Sequence, residues 1–292
     1  MLSSRVAVIV EADATMRPQE FRPYHSTRLR TTLAEHWPEY LIEAWALGMF
    51  MLSACAFTVW IEHPHSWIRM AISDGNVRRL LSGIAMGCTA IAIIYSPWGK
   101  RSGAHMNPSV TLSFLRLQKI APLDAFFYII AQFVGGLCGV LLSLALFGSA
   151  LSAPEVNFAI TTPGQYTPWV AMVAEIVISF LMMTMVLRVS NSNRLQSFTG
   201  IFAGLLVATF ITLEAPFSGM SMNPARSFAS ALPAHMWPHF WIYLVSPVLA
   251  MQLAVSVHRW KRNRSDVHCA KLIHENTQRC IHCGYEPAPK SS

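Results

Sequence analysis

Two seven-residue segments of this chain are near copies of each other: Ser102-Gly103-Ala104-His105-Met106-Asn107-Pro108 and Ser218-Gly219-Met220-Ser221-Met222-Asn223-Pro224. Each closes a long apolar stretch and opens a segment of helical character. Asn is a preferred helix cap and Pro is preferred at the first helical position, so each box predicts a helix start. From Asn107 to Leu117 there is room for about eleven residues, and from Asn223 to Ala231 about nine, before Lys119 and Pro233 intervene. At ~1.5 Å per residue these helices are about 14–17 Å long, half of a ~30 Å bilayer core. They cannot cross a membrane. A half-length helix entered through irregular backbone is tolerated at membrane depth only inside protein or beside a water-filled cavity. Two of them entering from opposite faces would bring together two positive dipole ends and their unpaired N–H groups.

Composition supplies the membrane. The chain is 53% hydrophobic and 13% charged, with a mean hydropathy of +0.39, too apolar for an ordinary soluble domain. Six runs long enough to span can be placed, at 40–60, 78–97, 123–148, 168–188, 195–214 and 238–258. The one apolar stretch before them, Val6 to Val10, is too short for a secretory signal core, so the first span is expected to act as its own insertion signal. With the N-terminus inside, 18 of the 22 Lys and Arg fall on inner segments, which predicts cytoplasmic termini. The loop carrying Arg69, Arg78 and Arg79 is the local exception. Topology accounts for the net charge of +7, and no basic stretch interleaves aromatic residues as a nucleic-acid surface would.

The repeat extends beyond the boxes. Gly83-Ile84-Ala85-Met86-Gly87 resembles Gly200-Ile201-Phe202-Ala203-Gly204 at an offset of 117, while Asn107 and Asn223 are offset by 116, which places one extra residue near Pro97. Glu43 and Glu175 occupy comparable places in the first and fourth spans. Three spans per half is an odd number, so the halves must be inverted about the midplane. This gives an N-terminal arm at 1–38, a channel-like domain at 39–258 (repeats at about 39–149 and 168–258) and a C-terminal tail at 259–292. The Gly-x-x-x-Gly pairs at Gly83/Gly87, Gly200/Gly204 and Gly135/Gly139 predict close helix crossings.

The paired boxes, the six-span inverted repeat, Glu43, Glu175, and Arg226 directly after Asn223-Pro224-Ala225 resemble the major intrinsic protein family, the aquaporins and glycerol facilitators. Over roughly residues 38–258 the chain is identified as a bacterial-type, aquaporin-like member. The resemblance implies an all-α membrane protein of six transmembrane helices and two re-entrant half-helices. It implies a homotetramer that passes water or small uncharged solutes passively and catalyses no reaction. Asn107-Pro108-Ser109 and Asn223-Pro224-Ala225 would form the central constriction, the two Asn amides donating to solute and the converging dipoles repelling cations. Met86, Ile211, Met220 and Arg226 would form the outer selectivity filter. Glu43 and Glu175 would accept hydrogen bonds from the box loops rather than relay protons, and His105 would face the inner vestibule. Ser109 replaces the usual Ala, small for small. Ser227 stands where glycerol-type members carry Asp, and three aliphatic filter residues fit neither the water-specific nor the glycerol pattern. A secondary transporter is the alternative; it would need ion-coupling carboxylates near the breaks, and only Glu214 lies close to a box.

The tail carries a separate signal, Cys269-x4-His274-x5-Cys280-x2-Cys283 followed by Gly284. In a cytoplasmic segment disulfides are disfavoured, and the spacing resembles a zinc knuckle, with His268 and His282 as further candidate ligands. Transport itself calls for no cofactor, so zinc here would be structural; free thiols in a disordered tail are the alternative. Cys55, Cys88 and Cys138 lie in spans and are expected to be buried.

Overall fold

The computed structural model describes residues 29–261, 267–274 and 279–286. Eight principal helices follow in order: α1 Leu29–Glu62, α2 Gly75–Tyr95, α3 Pro108–Arg116, α4 Pro122–Phe147, α5 Pro168–Val189, α6 Thr199–Leu213, α7 Pro224–Ala234 and α8 Trp241–Lys261. Six are long and apolar enough to cross a membrane, α6 together with the turn that leads into it from Gln196, and α3 and α7 are the two half-length helices. Short helical turns at 67–71, 97–102, 149–152 and 215–218 punctuate the connections. Of the N-terminal arm, residues 1–28 lie outside the described residues.

Helix α1 begins at Leu29, well before the first apolar window at 40, and runs through Pro38. The difference has a physical cause. Asp124 at the start of α4 accepts a hydrogen bond from Tyr40 (2.6 Å) and pairs with His36 (2.7 Å), while Arg101 binds Glu39 (2.9 Å). These polar side chains of α1 are buried because they are partnered, so a hydropathy window misses a segment that is nonetheless interior. Helix α7 likewise continues past Ala231 to Ala234, with Pro233 inside its last turn. Proline's fixed φ suits a helix; its missing N–H removes the ladder bond to the Ala229 carbonyl, and the helix ends one residue later. The turn closes at His235 (φ 51°), whose N–H reaches the carbonyls of Ala231 and Leu232.

The two halves pack as an inverted pair. Helix α1 lies against α4 and α5 against α8 within the halves, α2 crosses α6 between them, and each half-helix rests on the last long helix of the other half: α7 on α4, α3 on α8. The α2–α6 crossing is as close as backbones allow. A methyl group on Gly87 would sit 2.6 Å from the Gly204 carbonyl oxygen, and one on Gly204 would sit 2.6 Å from that of Gly87. These two glycines are the ones the sequence repeat equates, as a two-fold axis between the halves requires. Gly135 and Gly139 instead seat α4 on Ala44 and Gly48 of α1. The outer surface is apolar, with Leu41, Leu205 and Leu249 exposed. Cys55 is buried, but Cys88 and Cys138 are exposed, against expectation. A surface that faces lipid accepts a weakly polar thiol as readily as the interior does.

Candidate pore and its two mouths

Each half-helix starts at a capped Asn. Asn107 Oδ1 accepts from the Ser109 N–H (2.8 Å), and Asn223 Oδ1 from the N–H groups of Ala225 (3.1 Å) and Arg226 (3.3 Å). Pro108 and Pro224 take the first helical positions; Ser109 and Ala225 follow, fully buried. The two starts are tied to each other. Asn107 Nδ2 donates to the Met222 carbonyl (2.7 Å) and Asn223 Nδ2 to the Met106 carbonyl (2.6 Å). Each amide has two N–H groups, so one per Asn is spent on this reciprocal lock and one is left.

The backbone before each Asn is strained in matching places. Ala104 and Met106 have φ of 52° and 50°; Met220 and Met222 have 54° and 56°. Left-handed geometry at non-glycine residues costs of order 1–3 kcal/mol each and persists only where surroundings impose it. The buried carboxylates impose it. Glu43 accepts from Ser102 Oγ (2.7 Å), His105 N (3.0 Å), Met106 N (2.8 Å) and Gln132 Nε2 (2.9 Å). Glu175 accepts from Ser218 Oγ (2.8 Å), Ser221 N (2.7 Å) and Met222 N (2.8 Å). Tyr128 and Tyr243 add matching hydrogen bonds to the Ser102 and Ser218 carbonyls (2.8 and 2.6 Å). Gln132, isolated in the apolar run of α4, was the available signal for this network. Its counterpart in α8 is Pro247, so Glu175 has one partner fewer.

One cavity of about 210 Å³ runs past both boxes, and Met86, Ile211, Met220, Arg226, Asn107 and Asn223 all line it. Arg226 Nη1 is buried there without a hydrogen-bond partner among the described residues. Glu214, at the C-terminal end of α6, is buried near the second box.

The two mouths are covered differently. On the face away from the termini, Gly219 lies under residues 161–164: a methyl on it would come 2.8 Å from the Thr162 carbonyl oxygen, Gly164 N donates to Phe217 O (3.0 Å), and Thr161 Oγ1 meets Ser227 Oγ (2.6 Å). On the face where α1 begins and α8 ends, Gly103 lies under the tail. A methyl on it would come 3.1 Å from the Ala270 carbonyl oxygen, and Leu272 N donates to Gly103 O (3.2 Å). His105 lines the cavity, and the tail covers it. It is buried, with Nδ1 on Thr111 Oγ1 (3.0 Å) and Nε2 on the Ala270 carbonyl, and Leu272 lines the cavity beside it.

The tail cysteines and histidine converge. The ligand atoms of Cys269, His274, Cys280 and Cys283 lie within 4.8 Å of one another. His268 and His282 are not in this cluster; His282 instead reaches Ser102 O (3.0 Å). Burial pushes the Cys269 thiol up, while hydrogen bonds with Cys269 and Cys283 hold the Cys280 thiol well below the ordinary range.

A family model described as "Major intrinsic protein" matches residues 30–258. The chain belongs to the major intrinsic protein family. Among its relatives in this family, "Aquaporin NIP2-3" of Zea mays is 33% identical over 193 residues, 65% of this chain and 61% of that protein. "Aquaporin AqpM" of Methanothermobacter marburgensis is 33% identical over 186 residues, 61% of this chain and 75% of that protein. The chain therefore spans under two thirds of the maize relative. The X-ray structure of the aquaglyceroporin from Plasmodium falciparum has the same fold, with a TM-score of 0.64 at 16% identity, covering 76% of this chain and 95% of that one. The all-helical architecture described above is thus the fold of this family.

Proposed function

We propose that this major intrinsic protein is a passive channel for water or small uncharged solutes, with both termini cytoplasmic and four copies in the membrane. The observation that carries the reading is the meeting of two opposed half-helix N-termini, Asn107 and Asn223, in one cavity. There a solute finds one free amide N–H from each Asn. A water that accepts from both must reverse the hydrogen-bond direction of the file, which interrupts proton hopping, and the two positive helix ends oppose cations. The free Nη1 of Arg226 supports its role in the filter, since a buried donor left unpaired costs about 1–3 kcal/mol unless solute or water takes it. Met86, Ile211 and Met220 complete that filter with aliphatic surface, which replaces little of a solute's hydration.

The charge bias of 18 of 22 basic residues supports the orientation. A transporter would need a carboxylate free to couple an ion; both oxygens of Glu43 and Glu175 are committed to the box loops, which leaves Glu214, whose buried oxygens have no hydrogen-bond partner among the described residues, for the ionophore test below to judge. No enzymatic role is assigned.

Stopped-flow light scattering of proteoliposomes with water, glycerol and urea gradients tests the reading. Flux above that of empty vesicles, unaffected by ionophores, is expected; ionophore-sensitive uptake would replace the channel with a transporter. Met86→Phe should reduce glycerol and urea flux more than water flux, by narrowing the aliphatic filter.

A further inference from the structure

The tail lies beyond residue 258, where the family match ends, so its role is not inherited from the family. Its four clustered side chains have the chemistry of a zinc-class site. Tetrahedral zinc, with Zn–S of about 2.3 Å and Zn–N of about 2.0–2.1 Å, sets its ligand atoms about 3.5–3.8 Å apart. Here Cys269 Sγ and Cys280 Sγ are 3.5 Å apart, and His274 Nε2 and Cys283 Sγ 3.1 Å, all four atoms lying within 4.8 Å of one another. A sulfur–sulfur distance of 3.5 Å is far outside the ~2.05 Å of a disulfide. Gly284 (φ 73°) lets the chain fold back, with Gly284 N on Cys280 O (3.0 Å) and Cys280 N on Tyr285 O (2.8 Å), which is the turn a knuckle needs.

The same short segment is built into the channel mouth. Val267, Ala270, Leu272, Ile273 and Ile281 are buried in the core cluster that also holds Ile94 and Val186 of the pore wall. His268 N binds Asn191 Oδ1 (2.7 Å), His282 binds the Ser102 carbonyl (3.0 Å), and the His282 ring stacks on His105 (5.9 Å, 11°). Leu272 of this docked segment lies in the wall of the cavity. The tail, residues 259–292, is too short to hold its own fold, and metal ligation is a usual remedy.

We propose that Cys269, His274, Cys280 and Cys283 bind one zinc-class ion, and that this ion clamps the tail over the cytoplasmic mouth, where Leu272 narrows the passage. The ligands come from two stretches of the tail, 269–274 and 280–283, which the ion would tie together. The site closes the fold of the tail; the tail in turn covers Gly103 and His105. The effect on flux rests on the channel reading above, but the site and the clamp do not.

The experiment uses the full chain, purified in detergent, loaded with zinc and freed of excess by gel filtration. Elemental analysis should give one zinc per chain, cobalt substitution should give the visible bands of tetrahedral thiolate coordination, and Cys280→Ser/Cys283→Ser should lose both. Hydrogen exchange should show the Leu272 amide protected with zinc and exposed after chelation. In proteoliposomes, chelation and Leu272→Ala should each raise water flux by about twofold or more, Leu272→Ala with its zinc retained. Absence of bound zinc at equilibrium, or a Cys269–Cys280 disulfide in its place, overturns the site. Unchanged Leu272 protection on chelation overturns the clamp, and unchanged flux in Leu272→Ala overturns the narrowing. No flux from either protein would remove the channel reading instead, leaving zinc content and exchange to judge the clamp.

Discussion

The first and second boxes are the same device built twice and covered in two ways. Their interiors share an Asn cap, a reciprocal amide bond, two left-handed residues, a buried Glu and a Tyr holding the Ser carbonyl, and differ in Gln132, whose counterpart is Pro247. Even the position after the left-handed alanine or methionine is used alike. Ser221 bonds to Ser227 (2.6 Å) where His105 bonds to Thr111 (3.0 Å). The difference lies in what comes next. Ser221 and Ser227 end on Thr161, from the connection between the halves, whereas His105 ends on Ala270, from the tail. The inverted repeat fixes the constriction, and the segments outside the repeat decide how each mouth is closed.

If that division is right, damage to the shared interior should be severe and damage to the covers local. The largest effect is expected from Glu43→Ala, which strands four donors and should cost about 4 kcal/mol or more; Glu175→Ala strands three and should cost less. Thermal unfolding in detergent measures both, and equal losses would break the link between partner number and stability. Next is Gly87→Val at the crossing of the halves, where overpacking against the Gly204 carbonyl should cost about 1–3 kcal/mol. Gly75→Ala, whose methyl would make only an ordinary 3.7 Å contact with Arg78 Nη2, is the control and should behave like the parent. The smallest is Thr161→Val, which removes one hydroxyl from a network where Ser227 keeps Ser221. It should cost about 1 kcal/mol, and its stability should respond to chelators as the parent's does. A chelator response confined to Thr161→Val would contradict the separation of the two mouths.

The parts of the molecule that were legible in the sequence are those where one residue type has one physical use. An Asn-Pro pair after a long apolar run can hardly be anything but a helix start, and two in register imply opposed half-helices. The six spans follow from hydropathy, and the Gly87–Gly204 contact from the repeat offset. What escaped depends on partners distant in sequence. His36, Glu39 and Tyr40 look like the end of an apolar run until Asp124 and Arg101 are placed beside them. The Cys/His spacing of the tail suggested a metal, but nothing in it pointed Leu272 at the pore. Cys88 and Cys138 show the converse limit, because in a span apolar character does not distinguish a protein-facing side from a lipid-facing one.

The central claim is that the paired boxes make a pore that passes neutral solute and refuses charge. It is tested most directly by measuring water permeability and proton conductance on the same proteoliposomes, one preparation with the parent chain and one with Asn223→Asp. The parent is predicted to raise water permeability well above that of empty vesicles while leaving proton conductance at their level, and Asn223→Asp to raise proton or sodium leak. Water permeability no greater than that of empty vesicles, or a parent that conducts protons as freely as the variant, would contradict it.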